Sequence, residues 1–213
     1  LKRARLGVLI SGSGRTALNL ANACESGSIL AEVALVVAHR EELEGVTRCR
    51  DAGLRVAIIP PAAPLSDAFA DRIDAVFLAA QVDLVCLAGY LRKFRVGNLW
   101  CGRALNIHPG LLPDFGGHGM YGERVHRAVL AAGVTESGCT IHEVDEEYDR
   151  GPVILEKRCA ITPGESATQL AERVFALECL AYPEAIAMVL ARRDRGWQGE
   201  GAPLGWKIAG AVQ

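Results

Sequence analysis

The sequence has little that would commit the chain to a special environment. Its seven cysteines (Cys24, Cys49, Cys86, Cys101, Cys139, Cys159 and Cys179) are odd in number and form no C-x-x-C pair. That excludes a disulfide framework and points to reduced thiols used as small hydrophobes, as expected of a cytoplasmic protein. Charge of one sign is also missing. Lys and Arg total 23 against 25 Asp and Glu, a formal net charge of −2. This offers no electrostatic footprint for nucleic acid or an anionic membrane. Apolar runs fall short of the ~20 residues that span a bilayer. The five histidines show no i, i+4 pair and no H-x-H spacing, so a metal site is not expected. The basic start, Leu1-Lys2-Arg3-Ala4-Arg5, lacks the apolar core of a signal peptide and is not expected to act as one.

What remains is an ordinary globular composition, half of it hydrophobic over 213 residues, enough for one sizeable α/β domain. Apolar strand patterns at 5–10, 32–38, 55–59 and 83–88 alternate with helical patterns at 16–26, 45–53 and 65–81. The last of these turns an inner face of Leu65, Ala68, Phe69, Ile73, Val76, Phe77 and Ala80. Such alternation predicts a three-layer, Rossmann-like, mostly parallel twisted sheet flanked by helices. A helix is expected over 123–132, with Arg124 and Arg127 facing solvent. Gly138 to Val144 alternates and Pro152 to Arg158 follows an acidic turn, which predicts an antiparallel hairpin in the C-terminal part. A long helix over 166–192, N-capped by Ser166, should bury Leu170, Val174, Leu177, Leu180 and Ala181 and be kinked or split at Pro183. The expected organisation is a single domain over 1–193, with a phosphate-binding half (1–104) and a catalytic half (105–193). A Gly-rich extension follows at 194–213.

Three stretches carry chemistry. The first is Gly12-Ser13-Gly14-Arg15-Thr16, between a strand and a helix. A glycine loop opening a helix points free backbone N–H groups at an anion, and phosphate is the natural guest. Gly12, Gly14 and Ala17 also fit a dinucleotide fingerprint, but the second strand ends at His39-Arg40 without the acidic residue that grips a ribose. The second stretch is Asn106-Ile107-His108-Pro109. Alternation puts Asn106 and His108 on one side of a strand end, and Pro109 stiffens the exit. An amide donor and an imidazole at fixed separation suit an oxyanion and a proton. The third is the acidic turn 145–151, where Asp149 precedes Arg150-Gly151-Pro152 and is the carboxylate expected to be held inward. Glu178 stands among apolar neighbours, unusual for an acid. Gly116 to Gly122 reads as a mobile loop over the site, with His118 solvated.

Five segments in order carry a resemblance. They are Val8 to Gly14, Leu87 to Arg92, Asn106 to Pro113, Gly138 to Val144 with Asp149 to Ile154, and Glu178 to Pro183. Over roughly residues 5–190 the chain resembles the phosphoribosylglycinamide formyltransferases, a family of folate-dependent formyltransferases. The resemblance implies the formyltransferase fold and formyl transfer from 10-formyltetrahydrofolate to the amine of 5-phosphoribosylglycinamide in purine biosynthesis. It implies that Asn106 polarises the formyl carbonyl and that His108 is a general acid or cationic stabiliser. Asp149 would pair with His108 or fix a relaying water, raising the imidazole pKa. Gly12, Ser13, Gly14, Arg15 and Thr16 would cradle the phosphate and Glu178 would hold the amine. Leu91, Arg92, Lys93, Phe94 and Val144 would line the folate pocket.

The chain departs from the family at Arg15-Thr16, where Ser-Asn is usual, at Gly110, where Ser or Ala is usual, and in a longer 116–122 loop. Partners are expected to be small molecules, and the chain a monomer or homodimer. A deformylase is expected to carry a domain before Leu6. A methionyl-tRNA or sugar formyltransferase is expected to carry one after the catalytic part. A non-catalytic phosphometabolite or folate sensor would have no need of Asn106, His108 and Asp149 together.

Overall fold

The computed structural model of the chain describes residues 3–61 and 67–194. Seven strands form one sheet: β1 (Ala4–Ile10), β2 (Ala31–Ala38), β3 (Val56–Ile58), β4 (Leu84–Leu87), β5 (Ala104–His108), β6 (Glu136–Glu143) and β7 (Val153–Ala160). Their order is β3-β2-β1-β4-β5-β6-β7. β1 to β5 pair in parallel. β6 runs antiparallel to β5, and β7 antiparallel to β6, which is the expected hairpin.

Alternate residues of β1 feed two cores. Leu6, Val8 and Ile10 pack on α1 (Arg15–Glu25), α2 (Glu44–Asp51), α5 (Glu123–Ala131) and α6 (Ala167–Asp194). Leu9, Val85 and Leu87 pack on α3 (Asp67–Ala79) and on Trp100 of the short α4 (Gly97–Trp100). The sheet is thus covered on both faces, which its near-continuous apolar strands require.

Several details differ from expectation. The sequence gives no sign of α4. In α3, Phe69, Ile73 and Phe77 are buried while Ala68 is exposed. The expected start of that helix at Leu65 lies outside the described residues, as does the extension from 195 onwards. Over Ala167–Arg192, α6 is long and apolar enough, by length and composition, to cross a membrane. Scattered charges such as Glu172, Arg173 and Glu184 hide this when only uninterrupted runs are sought. Here the helix packs along the sheet, with Leu170, Val174, Ala181, Tyr182 and Ile186 fully buried. Leu180 is 65% exposed, because at about 100° per residue it turns away from that stripe.

α6 is one continuous helix, although Pro183 lies inside it. Proline removes the N–H that would bond the carbonyl four residues earlier. That carbonyl belongs to Cys179, and it accepts a hydrogen bond of 3.0 Å from Asn19 Nδ2 on α1. A neighbouring helix therefore satisfies the group that Pro183 orphans. At its start, Ser166 caps α6 as expected. Ser166 Oγ accepts from Gln169 N–H at 3.2 Å, and Gln169 Oε1 accepts from Ser166 N–H at 2.8 Å, a reciprocal capping box.

Asn19→Ala is expected to destabilise the chain by about 1–2 kcal/mol in chemical denaturation, since it strands a half-buried carbonyl. In a Pro183→Ala background the helix regains its own donor, and the cost of Asn19→Ala should shrink to a few tenths of a kcal/mol. Equal costs in both backgrounds would sink this account.

Candidate active site

The carboxyl ends of β1, β4 and β5 lie at one edge of the sheet and open onto a cavity of about 520 Å³. Ser11 Oγ accepts the Leu91 N–H at 3.1 Å and ties the loops after β1 and β4 together.

Asn106 and His108 stand at alternate positions of β5, opposite His142 and Thr140 of β6. Asn106 Nδ2 lies 3.1 Å from His142 Nε2 and 3.3 Å from Asp149 Oδ1. His142 Nδ1 faces the Glu143 carbonyl at 2.8 Å, which only accepts, so Nδ1 carries the proton. Nε2 is then the acceptor for Asn106. His108 Nε2 donates to the Phe115 carbonyl at 2.7 Å, and its Nδ1 lies 3.5 Å from Asp149 Oδ2. Thr140 Oγ1 donates to the Gly110 carbonyl at 2.8 Å and accepts the Leu112 N–H at 3.1 Å, pinning the chain beyond His108. A side chain at Gly110 would put its Cβ 2.8 Å from Val125 Cγ1 and 3.2 Å from His108 Nε2, which accounts for glycine there.

Asp149 is held inward, as its position in the acidic turn predicts. Its backbone adopts φ 55°, a left-handed conformation that Asp tolerates better than most residues. Oδ2 accepts the Gly117 N–H at 2.9 Å, so the Gly-rich loop docks on the carboxylate. Burial pushes the Asp149 carboxyl up, but its hydrogen-bonding surroundings, the Gly117 N–H among them, outweigh it and hold the group below its ordinary value. For His108 the balance runs against expectation. Burial pulls the imidazole down, and although Asp149 and the Phe115 carbonyl act upward, the group ends below its ordinary value. Asp149 therefore acts on the His108 pKa in the expected direction, but burial outweighs it and the net shift is downward.

At the start of α1, Gly14 takes φ 74° and caps the helix without a side-chain hydrogen bond. The Gly12 carbonyl accepts the Gly45 N–H at 3.1 Å, and a Cβ on Gly45 would fall 2.5 Å from that oxygen. Arg15 and Thr16 line the cavity, whereas Gly12, Ser13 and Gly14 do not. The Ser13 carbonyl instead receives Arg48 Nη1 at 3.3 Å. Glu178 lines the cavity too, and burial pushes its carboxyl up to about 7 while Arg15 pulls it down. Leu91, Arg92, Lys93, Phe94 and Val144 line the cavity, as do residues 117–122. His118 is exposed and meets Tyr148 edge-on, with ring centroids 5.6 Å apart. Arg124 is exposed as expected, yet it also borders the cavity.

Sequence reasoning missed His142, Tyr90 and His126. All three line the cavity. The Tyr90 hydroxyl and His126 Nδ1 are buried without a partner among the described residues. For His142 a signal existed. Thr140 and His142 share a face of an alternating strand, as Asn106 and His108 do, and antiparallel pairing of those strands brings the four together.

The family model described as formyl transferase matches residues 4–186. A chloroplastic phosphoribosylglycinamide formyltransferase of Arabidopsis thaliana is 35% identical over 95% of this chain and 70% of its own length. A trifunctional purine biosynthetic protein of Bos taurus is 35% identical over 96% of this chain, which spans 20% of that protein. The crystal structure of glycinamide ribonucleotide transformylase 1 from Symbiobacterium toebii superimposes with a TM-score of 0.82 at 39% identity, covering 90% of each chain. With this match along most of its length, the chain belongs to the formyl transferase family, in the branch of the phosphoribosylglycinamide formyltransferases.

Proposed function

We propose that the chain transfers the formyl group of 10-formyltetrahydrofolate to the amine of 5-phosphoribosylglycinamide. The observation that carries this reading is the convergence of Asn106, His108, His142 and Asp149 in a cavity that Glu178 and the first residues of α1 also line. The amine nitrogen attacks the formyl carbon, and the carbonyl oxygen gains negative charge. Asn106 Nδ2 meets that charge, exchanging its long hydrogen bond to Asp149. The proton shed by the amine goes to His108, neutral in the free protein because burial disfavours its charge. The imidazolium so formed is stabilised by Asp149 and then donates to the departing folate nitrogen as the old C–N bond breaks. His142 orients Asn106. Glu178 receives the amine, and the apolar wall of Leu91, Phe94 and Val144 faces the pterin.

In this reading residues 1–104 supply most of the phosphate end and 105–193 most of the catalytic groups. The chain works on small molecules in the cytoplasm as a monomer or homodimer. All seven cysteines are free, which supports a reducing compartment.

Tetrahydrofolate release from 10-formyltetrahydrofolate should depend on added 5-phosphoribosylglycinamide. Release without the amine would replace this reading by a deformylase. Asn106→Ala should lower kcat by about 10²–10³, the cost of losing an oxyanion donor, and a variant near full activity would remove Asn106 from the mechanism. Glu178 gives a pH test. Its folded pKa of about 7 lies above the ordinary 4.5, so the fold favours the protonated acid. Below pH ~4.5 both states are protonated and the group costs nothing. Between about 4.5 and 7 the unfolded chain ionises while the folded acid stays protonated, so stability is lost across that window and levels off above it. Glu178→Gln should therefore be more stable than the parent by about 1–3 kcal/mol at pH 8 and no different at pH 4, as read by denaturant titration, while losing activity.

A further inference from the structure

Arg15 is placed unlike the rest of the phosphate loop. It is the first residue of α1, yet its side chain crosses to α6. There Nη1 and Nη2 donate to the two oxygens of Glu172 at 2.9 and 2.8 Å. The guanidinium also lies over the Phe175 ring, 3.8 Å from its centroid. Arg15, Glu172, Phe175 and Glu178 all line the cavity. Phe175 fixes the plane of the guanidinium, and Glu172 occupies its fork as a two-oxygen anion would. The pair is open to water, with 42% of the Arg15 side chain and 62% of the Glu172 side chain exposed, so exchange of the carboxylate for another anion is easy.

We propose that Arg15 is a specificity-determining residue for the phosphate of the acceptor, and that Glu172 holds its place until that phosphate arrives. This rests on the acceptor reading given above. A phosphate monoester matches the guanidinium fork as a carboxylate does, with a second charge and a third oxygen. Those extra oxygens reach toward the first-turn N–H groups of α1, which have no side-chain cap. Glu172, losing its partner to a dianion, turns into solvent on the exposed side of α6. The arrangement favours phosphorylated acceptors: Arg15 attracts the phosphate, and an acceptor without one leaves the Arg15–Glu172 pair intact. It also explains how the chain manages with Arg15-Thr16 in the loop: the cation comes from α1 and is aimed by α6.

The test compares Arg15→Ala and Glu172→Gln with the parent on 5-phosphoribosylglycinamide and on its dephosphorylated counterpart, ribosylglycinamide. Inorganic phosphate serves as a competitive inhibitor. Arg15→Ala should raise KM for the phosphorylated acceptor about ten- to a hundredfold, the loss of one bidentate charge-assisted contact, with kcat and the donor KM within about twofold. Glu172→Gln should act in the opposite sense, lowering that KM and the inhibition constant of phosphate severalfold. Neither variant should lower the KM for the dephosphorylated acceptor. Equal effects on both acceptors, or none, in an enzyme that does turn over the phosphorylated amine would overturn the role of Arg15 alone. Absence of amine-dependent turnover in the parent would overturn the acceptor reading and this inference with it.

Discussion

The site depends on one buried carboxylate. Asp149 meets Asn106 through one oxygen and the Gly117 N–H through the other, with His108 and His142 each 3.5 Å away. Those groups come from β5, β6 and two loops, and no backbone ladder joins them all. Remove the charge, and Asn106 loses an acceptor that fixes its amide while the Gly-rich loop loses its anchor. The φ of 55° at Asp149 is the local cost of aiming the carboxylate inward, on the order of 1 kcal/mol. It is repaid by charge-assisted contacts to a carboxylate whose side chain is only 10% exposed.

Around that point the fold works as a positioning frame. Parallel strands deliver three loops to one edge of the sheet, and the antiparallel hairpin returns His142 and Asp149 to the same edge. α6 adds a further lining to the cavity. Its inner stripe fills the core, while Glu172, Phe175 and Glu178 reach the cavity from half-buried and exposed positions. A helix that serves both core and site cannot break at Pro183 without moving Glu178, five residues earlier. The Asn19 amide on Cys179 is therefore a support for the site as much as for the fold.

Much of this was legible in the residues, for identifiable reasons. Buried parallel strands announce themselves as apolar runs, and Asn106 and His108 share a face by simple alternation. Asp149 was legible because a carboxylate directly before an Arg-Gly-Pro turn has few places to point. His142 was not, because its role needs the register of β6 against β5, which no local pattern encodes. Leu180 and Pro183 misled for a related reason. The helix is apolar nearly all round, so periodicity does not single out the buried stripe, and the donor that rescues the proline lies 160 residues away in sequence. The direction of the His108 shift was missed because charge pairing is visible in a sequence and depth of burial is not.

The same asymmetry bears on catalysis. A His108 already charged in the free protein would form a settled ion pair with Asp149 and have little to gain as the transition state develops. Burial prevents this by keeping the imidazole neutral while leaving the carboxylate ionised beside it. The Nδ1 lone pair and the Asp149 charge then face each other at 3.5 Å with no proton between them. That contact is unfavourable at rest and becomes favourable once a proton is delivered. Stabilisation that appears only as charge moves lowers a barrier, whereas stabilisation present throughout does not.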